Sequence, residues 1–258
     1  MIAFGLVGHP LGHSCSVPVH RCFGTYDYRL YDMDEAQLRA LMQSRAFEGL
    51  NVTIPYKKTV LPYCDVLSQT VRQIGSANTL YFRDGKLCAE NTDCIGFSDM
   101  LYRSGISLVG RKVAVLGTGG TAVTAAYVAQ MEKAAEVITV SRRGPVDYAA
   151  LMREHRDIEI LINATPVGMY PKENETPVDP AAFPKLMGVA DVIYNPQKTL
   201  LLRLAEKRGI PCAGGVWMLA RQGLESARLF TRHDIPPQKA EEACHAVEAY
   251  LQQEFSEK

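Results

Sequence analysis

The sequence predicts an α/β fold divided into two lobes. Short apolar runs alternate with helical patterns along most of the chain, which is typical of sheets of parallel strands flanked by helices. From about residue 110 to Gly214 the order is strictly strand then helix, which predicts a doubly wound lobe over 101–214. Residues 1–100 and 215–258 then form the other lobe, an α/β domain, and a length of 258 residues suits two domains.

Each element follows from a local pattern. Strands are predicted at the apolar runs 2–7, 28–31, 50–54, 78–82, 112–116, 137–140, 158–162, 189–194 and 210–212. Helices are predicted near 34–44, 65–74, 121–131, 146–155, 199–208 and 238–253. Asp84-Gly85 joins 80–82 and 86–89 in a hairpin. The last helix follows Pro236-Pro237 and is expected to return to the first lobe, with an apolar face of Ala240, Ala243, Val247 and Leu251.

Composition excludes several classes of protein. Lys plus Arg and Asp plus Glu both number 28, so bulk charge gives no reason to expect nucleic acid or an anionic membrane as a partner. No apolar run approaches the ~18 residues of a membrane helix, and the N-terminal residues are expected to form a first strand and not a signal peptide. The seven cysteines contain no CxxC pair, which favours a reducing compartment. No metal site is expected, because Pro10 interrupts any helix that would align His9, His13 and His20.

A glycine-rich turn after the strand at 112–116 predicts a dinucleotide site. Gly117 permits the tight turn, Gly119 lets the backbone approach a pyrophosphate, and Ala122 permits close helix–strand packing. Gly120 and Thr121 complete the turn and are also predicted cofactor contacts. The helix N-terminus offers free N–H groups to the anion, so the lobe is predicted to be of the Rossmann type. The alternative is a plain glycine turn.

The end of the next strand predicts which dinucleotide binds. Sites for NAD usually carry an acidic residue there, whereas this chain has Ser141, Arg142 and Arg143. A guanidinium can bind a 2′-phosphate with forked hydrogen bonds, which favours NADP over NAD, although NAD remains possible. The alternative is that both arginines are solvated surface charges.

Three polar segments stand out in the first lobe. Ser14 and Ser16 follow the first strand, and Asn51 to Lys57 run from a strand into a turn. Asn78-Thr79 and Asn91-Thr92-Asp93 flank the hairpin. Hydroxyls, amides, a lysine and an aspartate could bind a polyhydroxylated small molecule. They could equally be turn formers and helix caps, and the residues alone do not decide between these interpretations.

The chain resembles the shikimate dehydrogenase family along essentially its whole length. The matching stretches are GLVGHPLGHSCS, GLNVTIPYKK, IGSANTLYFRDGKLCAENTDCIGF, VLGTGGTA, NATPVGM, DVIYNPQKT and GGVWMLARQG. The resemblance implies reversible NADPH-dependent reduction of 3-dehydroshikimate to shikimate in the chorismate pathway of aromatic amino-acid biosynthesis. It also implies that 101–214 bind NADP and that 1–100 and 215–258 form the substrate-binding catalytic domain.

The resemblance also implies roles for individual residues. Lys57 is similar to the family's catalytic lysine and Asp93 to its partner. A lysine within hydrogen-bond reach can protonate the developing alkoxide and act as base in reverse. Tyr194 and Gln222 match residues that close the substrate pocket from the other lobe, and the remaining substrate-binding positions are Ser14, Ser16, Thr53, Asn78 and Asn91. Further cofactor contacts are implied at Asn163, Thr165, Met169, Gly215 and Met218.

The chain also departs from the family pattern. Cys15 replaces the usual lysine between the two serines, Trp217 replaces a small residue beside Met218, and Ser141-Arg142-Arg143 replaces the usual NRT. The two serines, Lys57 and Asp93 are intact. Cys15 is expected to be a packed thiol, because its neighbours do not obviously lower its pKa.

Two alternative functions remain open at this point. One is a quinate/shikimate dehydrogenase that uses NAD; the other is a non-catalytic module that senses NADP and shikimate, since a fold does not fix function. The expected partner is a small molecule, shikimate or 3-dehydroshikimate, with no nucleic acid and no membrane. The protein is expected to be cytoplasmic and a monomer or a homodimer.

Overall fold

The chain folds as the α/β protein that its sequence predicts. A computed structural model describes residues 2–12 and 14–255, so His13 lies outside the described residues. The strands are β1 (Ile2–Gly8), β2 (Tyr28–Asp32), β3 (Phe47–Val52), β4 (Val66–Leu67), β5 (Thr79–Arg83), β6 (Lys86–Glu90), β7 (Lys112–Leu116), β8 (Glu136–Val140), β9 (Ile160–Asn163), β10 (Gly188–Asp191) and β11 (Cys212–Gly214). The helices are α1 (Ser16–Arg21), α2 (Glu35–Ser44), α3 (Gln69–Ile74), α4 (Asp93–Arg103), α5 (Gly120–Met131), α6 (Tyr148–Glu154), α7 (Leu200–Glu206), α8 (Gly215–Thr231) and α9 (Lys239–Phe255).

The chain divides into two compact units. The first contains the residues up to Ile95 and from Leu219 onward, and the second contains Gly96–Met218. The division points fall inside α4 and α8. Within the described residues, no helix combines the length and apolar character that crossing a bilayer requires.

The first unit is built on a mixed six-stranded sheet in the order β2-β1-β3-β5-β6-β4. β1 is parallel to β2 and β3, whereas β5 is antiparallel to both β3 and β6. The hairpin predicted at Asp84-Gly85 is confirmed between β5 and β6, and its antiparallel pairing makes this sheet mixed. β1, β3 and β6 end, and β5 begins, at one edge of the sheet, so the polar segments predicted around them are brought to that edge.

Helix α9 closes the first unit as the sequence predicts. Ala240, Ala243 and Val247 are fully buried, and the helix packs against α1. Lys239 and Ala240 donate their N–H groups to the carbonyls of the two preceding prolines, which start the helix.

The second unit has a parallel five-stranded sheet in the order β11-β10-β9-β7-β8. Val113, Val115 and Ile162 are fully buried, as expected for strands covered on both faces. The strand order reverses between β7 and β9, and ligands of such sheets bind beyond the carboxyl ends of the strands at this switch point.

Several predicted elements differ in the structure. The helix predicted at 65–74 begins only at Gln69, because Ser68 caps it and Val66–Leu67 instead pair with β6 as β4. The strand predicted at 189–194 ends at Asp191, whose side chain accepts the N–H of Ile193 and so turns the chain out of the sheet. The strands predicted at 50–54, 158–162 and 210–212 are found at Phe47–Val52, Ile160–Asn163 and Cys212–Gly214.

Three helices, α1, α4 and α8, are absent from the predicted elements. Each begins in a segment whose polar or glycine residues are interpreted as site residues, among them Ser16, Asp93 and Gly215. The apolar periodicity that identifies a helix is weak there, because glycine and polar residues occupy its first turns.

Candidate active site

Lys57 and Asp93, which are far apart in the sequence, are in direct contact. Lys57 lies in the turn that follows β3, and Asp93 is the first residue of α4. Lys57 Nζ donates a hydrogen bond to Asp93 Oδ2 over 2.5 Å, and the two side chains are only 17% and 11% exposed. The position at a helix N-terminus favours the negative charge on Asp93. The ion pair is therefore largely shielded from solvent, while a small fraction of each side chain remains exposed.

The second oxygen of Asp93 is also held. Asn78 Nδ2 donates to Asp93 Oδ1 over 2.9 Å and contacts Gln222 Oε1 at 3.2 Å. Asn78 Oδ1 accepts the N–H of Thr92 over 2.7 Å, which fixes which end of the amide faces Asp93. Gln222 belongs to the first unit with Asn78, so the expectation that it acts from the other lobe is wrong.

Four more of the predicted substrate residues, Ser14, Ser16, Thr53 and Asn91, lie in segments that follow strands at this edge of the sheet. Ser14 and Ser16 are joined by their hydroxyls at 3.2 Å, and Ser16 begins α1. Thr53 follows β3 and donates its N–H to Val7 at the end of β1. Asn91 is 1% exposed and donates its side-chain amide to the carbonyl of Ser76. The ends of β1 and β3 lie side by side because the two strands are parallel neighbours, so the segments that carry Ser14, Ser16 and Thr53 start from the same edge of the sheet.

Asn51 is a buried polar residue that the sequence analysis did not single out as a site residue. Its Nδ2 is within hydrogen-bond distance of the Asn78 carbonyl (3.1 Å) and of Ser226 Oγ (2.9 Å), and its Oδ1 accepts from Tyr28 OH (2.8 Å). The available signal was an amide inside an apolar strand, between Leu50 and Val52, where an unpaired polar group would be costly.

In the second unit the glycine turn has the geometry that the sequence predicts. Gly117 has φ +113°, and a Cβ there would lie 2.9 Å from the carbonyl of Ala164, so only glycine fits without strain. Gly119 is the N-cap of α5, and a Cβ built on it would meet no described protein atom within 4 Å. Ala122 is 1% exposed and allows α5 to pack closely on the sheet. Gly120 and Thr121 form the first turn of α5.

Ser141, Arg142 and Arg143 follow β8, the neighbour of β7. Gly117 donates its N–H to the carbonyl of Val140, so the glycine turn and the end of β8 are adjacent. Arg142 and Arg143 are exposed. Their position beside the turn fits a negatively charged group on a bound nucleotide.

Asn163 lies at the end of β9, on the other side of the switch point. It is fully buried, its Oδ1 accepts from the hydroxyl of Thr165 over 2.7 Å, and its Nδ2 donates to the carbonyl of Val167 over 3.2 Å. These bonds shape the turn at 163–167, and Met169 lies beyond it, 45% exposed.

Asp191, which the sequence analysis did not single out, is a fully buried carboxylate at the end of β10. Its described partners are the neutral donors Thr199, Asn163 and the Ile193 N–H. Burial raises the pKa of Asp191 to about 6, while these hydrogen bonds act in the opposite direction. Its only sequence signal was an acidic residue inside a strongly apolar run.

The segment where β11 meets α8 holds the remaining predicted cofactor contacts. A Cβ on Gly215 would lie 2.1 Å from the carbonyl of Val192, so glycine permits this close backbone approach. Met218 is 7% exposed, and Tyr194, a predicted substrate contact, is half-buried. Trp217 donates its Nε1–H to Asp99 over 2.7 Å, which fixes the position of the indole.

Among the described residues, the cysteines and histidines show no metal-ligating arrangement. All seven cysteines are free, and burial raises the pKa of Cys15 to about 12, as expected of a packed thiol. His9 pairs with Asp32, and His20 is buried against Tyr26 and Tyr28. Over 2–12 and 14–255, no three His, Cys, Asp or Glu residues are grouped so that they could hold a metal ion.

The residues of the second unit fit a dinucleotide. The open side of Gly119 at the N-terminus of α5 leaves room for a pyrophosphate, and the exposed arginines after β8 supply positive charge.

Comparisons with known proteins give consistent results. The model of a family described as the shikimate dehydrogenase substrate binding domain matches residues 6–80. A protein of Clostridium perfringens (strain 13 / Type A), named shikimate dehydrogenase (NADP(+)), is 32% identical over 266 residues, which cover 94% of this chain and 97% of that protein. A protein of the same name from Methanothermobacter thermautotrophicus is 36% identical over 272 residues, covering 94% and 95%. The crystal structure of shikimate 5-dehydrogenase from Thermus thermophilus in complex with NADP(H) and shikimate matches with a TM-score of 0.83 at 30% identity, covering 96% of this chain and 100% of that chain.

Proposed function

The chain belongs to the shikimate dehydrogenase family, and from this premise we propose that it catalyses the reversible NADPH-dependent reduction of 3-dehydroshikimate to shikimate through Lys57 and Asp93. The observation that carries the proposal is the 2.5 Å contact between Lys57 Nζ and Asp93 Oδ2. Two residues 36 positions apart are joined at the sheet edge to which the other polar segments of the first unit also run.

Lys57 acts as the acid–base group. Its ammonium has three N–H donors, and Asp93 takes one of them, which leaves others to reach the substrate. One N–H protonates the oxygen of the keto group during reduction, and the amine removes that proton in the reverse direction. The positive charge also stabilises the negative charge that develops on this oxygen.

Asp93 orients Lys57 and binds a neighbouring substrate hydroxyl. Its Oδ1 is already fixed by Asn78, so the carboxylate cannot rotate freely while it holds the lysine. Fixed orientation matters because a small displacement of a proton donor strongly lowers the rate of transfer.

The remaining polar side chains bind the substrate. The hydroxyls of Ser14 and Ser16 suit its carboxylate, while Thr53, Asn78, Asn91, Tyr194 and Gln222 contact its hydroxyls or surround the lysine. A site of paired hydroxyl and amide groups discriminates against analogues that lack a hydroxyl, since its buried polar groups would then be unpaired.

NADP is the cofactor, as in the curated relatives. When bound, NADPH supplies the hydride that reduces the keto group. Gly119, Gly120 and Thr121 would hold its pyrophosphate at the N-terminus of α5, in a turn that Gly117 permits and with the close helix–sheet packing that Ala122 allows. The 2′-phosphate is bound by Ser141, Arg142 and Arg143, and further cofactor contacts are Asn163, Thr165, Met169, Gly215 and Met218.

The decisive experiment measures reduction of NADP and of NAD with shikimate and with quinate. Wild type is expected to prefer shikimate and NADP, and Lys57→Ala to lower kcat by about 10²-fold or more with little change in KM. Lys58→Ala is the matched control, since Lys58 is the adjacent exposed lysine. Near-normal turnover of Lys57→Ala, or equal losses in both variants, would refute the role of Lys57.

The same assay tests the two alternative functions. A quinate/shikimate dehydrogenase that uses NAD would turn over quinate with NAD efficiently; the intact pair Ser14 and Ser16 favours shikimate. A non-catalytic sensor would turn over neither acid; the presence of both Lys57 and Asp93 argues against it.

The domain roles, location and assembly form part of the proposal. Residues 1–100 and 215–258 bind substrate and 101–214 bind the cofactor, an assignment that the two compact units support. The protein acts in the cytoplasm, which seven free thiols favour, as a monomer or homodimer without nucleic-acid or membrane partners. Light scattering coupled to gel filtration tests the assembly.

A further inference from the structure

Asp191 is an acidic residue buried without a described cationic partner. Its carboxylate is 0% exposed, at the carboxyl end of β10 between β9 and β11. Thr199 Oγ1 donates to it over 2.7 Å, the Ile193 N–H over 3.1 Å, and Asn163 Nδ2 lies 3.1 Å from both oxygens. Burial of a carboxylate is costly even when it is hydrogen bonded, and an apolar side chain would fill the same space at lower cost. Packing alone therefore does not account for the residue.

The carboxylate is one of the groups that set the orientation of the Asn163 side chain. An ionised carboxylate only accepts hydrogen bonds, so the amide nitrogen of Asn163 must face it. Asn163 Oδ1 is then directed to Thr165, where it accepts from the backbone N–H over 3.1 Å and from the hydroxyl over 2.7 Å.

The orientation of the Asn163 amide also sets which groups donate and which accept hydrogen bonds in the turn at 163–167. The Thr165 hydroxyl donates to Asn163 and accepts the N–H of Val167 over 3.2 Å, while Asn163 Nδ2 also donates to the Val167 carbonyl. If the Asn163 amide were rotated by 180°, its nitrogen would face the N–H of Thr165 and its oxygen would face Asp191. The acceptor at Asp191 therefore acts together with the Thr165 N–H and the Val167 carbonyl to exclude the rotated amide.

We propose that Asp191 is a positioning residue for cofactor binding, acting through Asn163 on the turn at 163–167. The proposal rests on the proposed function, because it takes this turn as part of the NADP site. Asp191 itself need not touch the cofactor, since its effect passes through the amide that it orients.

The experiment measures NADPH binding by fluorescence titration, without turnover, in four variants. Asp191→Val keeps the approximate shape but removes both acceptors, and is expected to weaken NADPH binding about tenfold or more, the scale on which supporting residues act. Asp191→Asn keeps one oxygen for Ile193 and Asn163 and can donate to Thr199, so binding is expected to stay within about threefold of wild type.

A double-mutant cycle separates positioning from general destabilisation. Asn163→Ala is expected to weaken binding as Asp191→Val does, and the double variant to bind no more weakly than Asn163→Ala alone, because the second residue acts only through the first. Chemical unfolding of each variant reports its stability independently. The proposal would be overturned if folded Asp191→Val bound NADPH as wild type does. It would also be overturned if the loss of affinity in the double variant equalled the product of the losses in the two single variants.

A second route applies if Asp191→Val does not fold. Asn163→Asp places two carboxylates against each other at a separation of 3.1 Å in the present structure, and is expected to weaken NADPH binding. Adding Asp191→Asn removes the repulsion and is expected to recover at least about threefold in affinity. No recovery would count against the proposal.

Wild type that binds NADPH without oxidising shikimate would refute the proposed function alone, and wild type that does not bind NADPH would refute both.

Discussion

At the scale of single residues, a buried hydrogen-bond network links several polar side chains of the first unit. Asn51 bonds Tyr28 on one side and Ser226 and the Asn78 carbonyl on the other, and Asn78 in turn holds Asp93. Each of these groups, left unpaired in the interior, would cost about 1–3 kcal/mol. The network therefore links the stability of the core to the orientation of the carboxylate that contacts the proposed catalytic lysine.

Arg142 is expected to discriminate between the two nicotinamide dinucleotides. Arg142→Ala should raise the KM for NADP about tenfold or more, because it removes charge-assisted bonds to a phosphate, with little change for NAD. Steady-state kinetics with each cofactor give the comparison. Arg153→Ala, which alters an exposed arginine of α6 paired with Glu154, is the control. Equal effects of Arg142→Ala on both cofactors would contradict the assignment.

The buried carboxylate of Asp191 predicts a pH dependence of stability. Its pKa is raised by burial from 3.8 to about 6, so the folded protein binds this proton more tightly than the unfolded chain does. The resulting stabilisation is fully present below the unfolded pKa and is lost as the pH rises through about 6.

Urea unfolding of wild type and Asp191→Asn over this pH range provides the measurement. The difference in unfolding free energy, wild type minus variant, should increase by about 2 kcal/mol as the pH falls from 7 to 4. A difference that does not vary with pH would mean that Asp191 titrates near its ordinary value in the folded state.

At the scale of elements, the chemistry is placed where strands end. The second unit brings the turn after β7, the arginines after β8 and Asn163 at the end of β9 to one edge, because all its strands are parallel. The first unit reaches a similar result with mixed pairing: β1, β3 and β6 end at the edge where β5 begins.

The turn between β7 and α5 allows a test that separates folding from binding. Gly119 has φ −71° and open space where a Cβ would be, so Gly119→Ala should change the unfolding free energy by less than about 1 kcal/mol. The added methyl group would occupy the space assigned to the pyrophosphate, and NADPH affinity should fall about tenfold or more.

Gly117→Ala provides the contrast at the same turn. Its φ of +113° and the approach to the Ala164 carbonyl make alanine strained, so this variant should lose stability as well as cofactor binding. Normal NADPH affinity in Gly119→Ala, measured by fluorescence titration, would argue against a phosphate at this turn.

At the scale of the whole molecule, each unit has its own sheet and its own core. Leu50, Leu80 and Leu87 lie in the core of the first unit, and Leu116, Leu161 and Phe183 in that of the second. The presence of two separate cores is consistent with the proposal that substrate and cofactor bind to different parts of the chain.

Hydrogen exchange with each ligand alone is expected to show this division. Shikimate should slow amide exchange at 51–57 and 91–93, because bound ligand stabilises the segments that it contacts. NADP should slow exchange at 117–123 and 163–169. Mass spectrometry of the free and liganded protein makes the measurement, and the surface helix α2 is an internal control in which neither ligand should alter exchange. Protection by NADP confined to the first unit would contradict the assigned roles.

The sequence by itself determined the fold class, the nucleotide-binding lobe and the residue types of the candidate site. Alternation of apolar runs with helical patterns, and glycines between a strand and a helix, are local patterns. They can be recognised in a short stretch of sequence without knowledge of tertiary contacts. The segments NVTIPYK and ENTDCIGF single out Lys57 and Asp93 only through the resemblance to the family, because the residues alone could equally be turn formers and helix caps.

Only the tertiary structure decided which distant side chains meet. It joined Lys57 to Asp93, made the first sheet mixed, and revealed Asn51 and Asp191 as buried hubs. The sequence does not show that Asn51 and Asp191 are buried and bonded to several partners. A single amide or carboxylate within an apolar strand has the same local pattern whether its side chain faces solvent or the interior. Its partners are supplied by neighbouring strands and helices, and strand order and register are set by packing over the whole sheet.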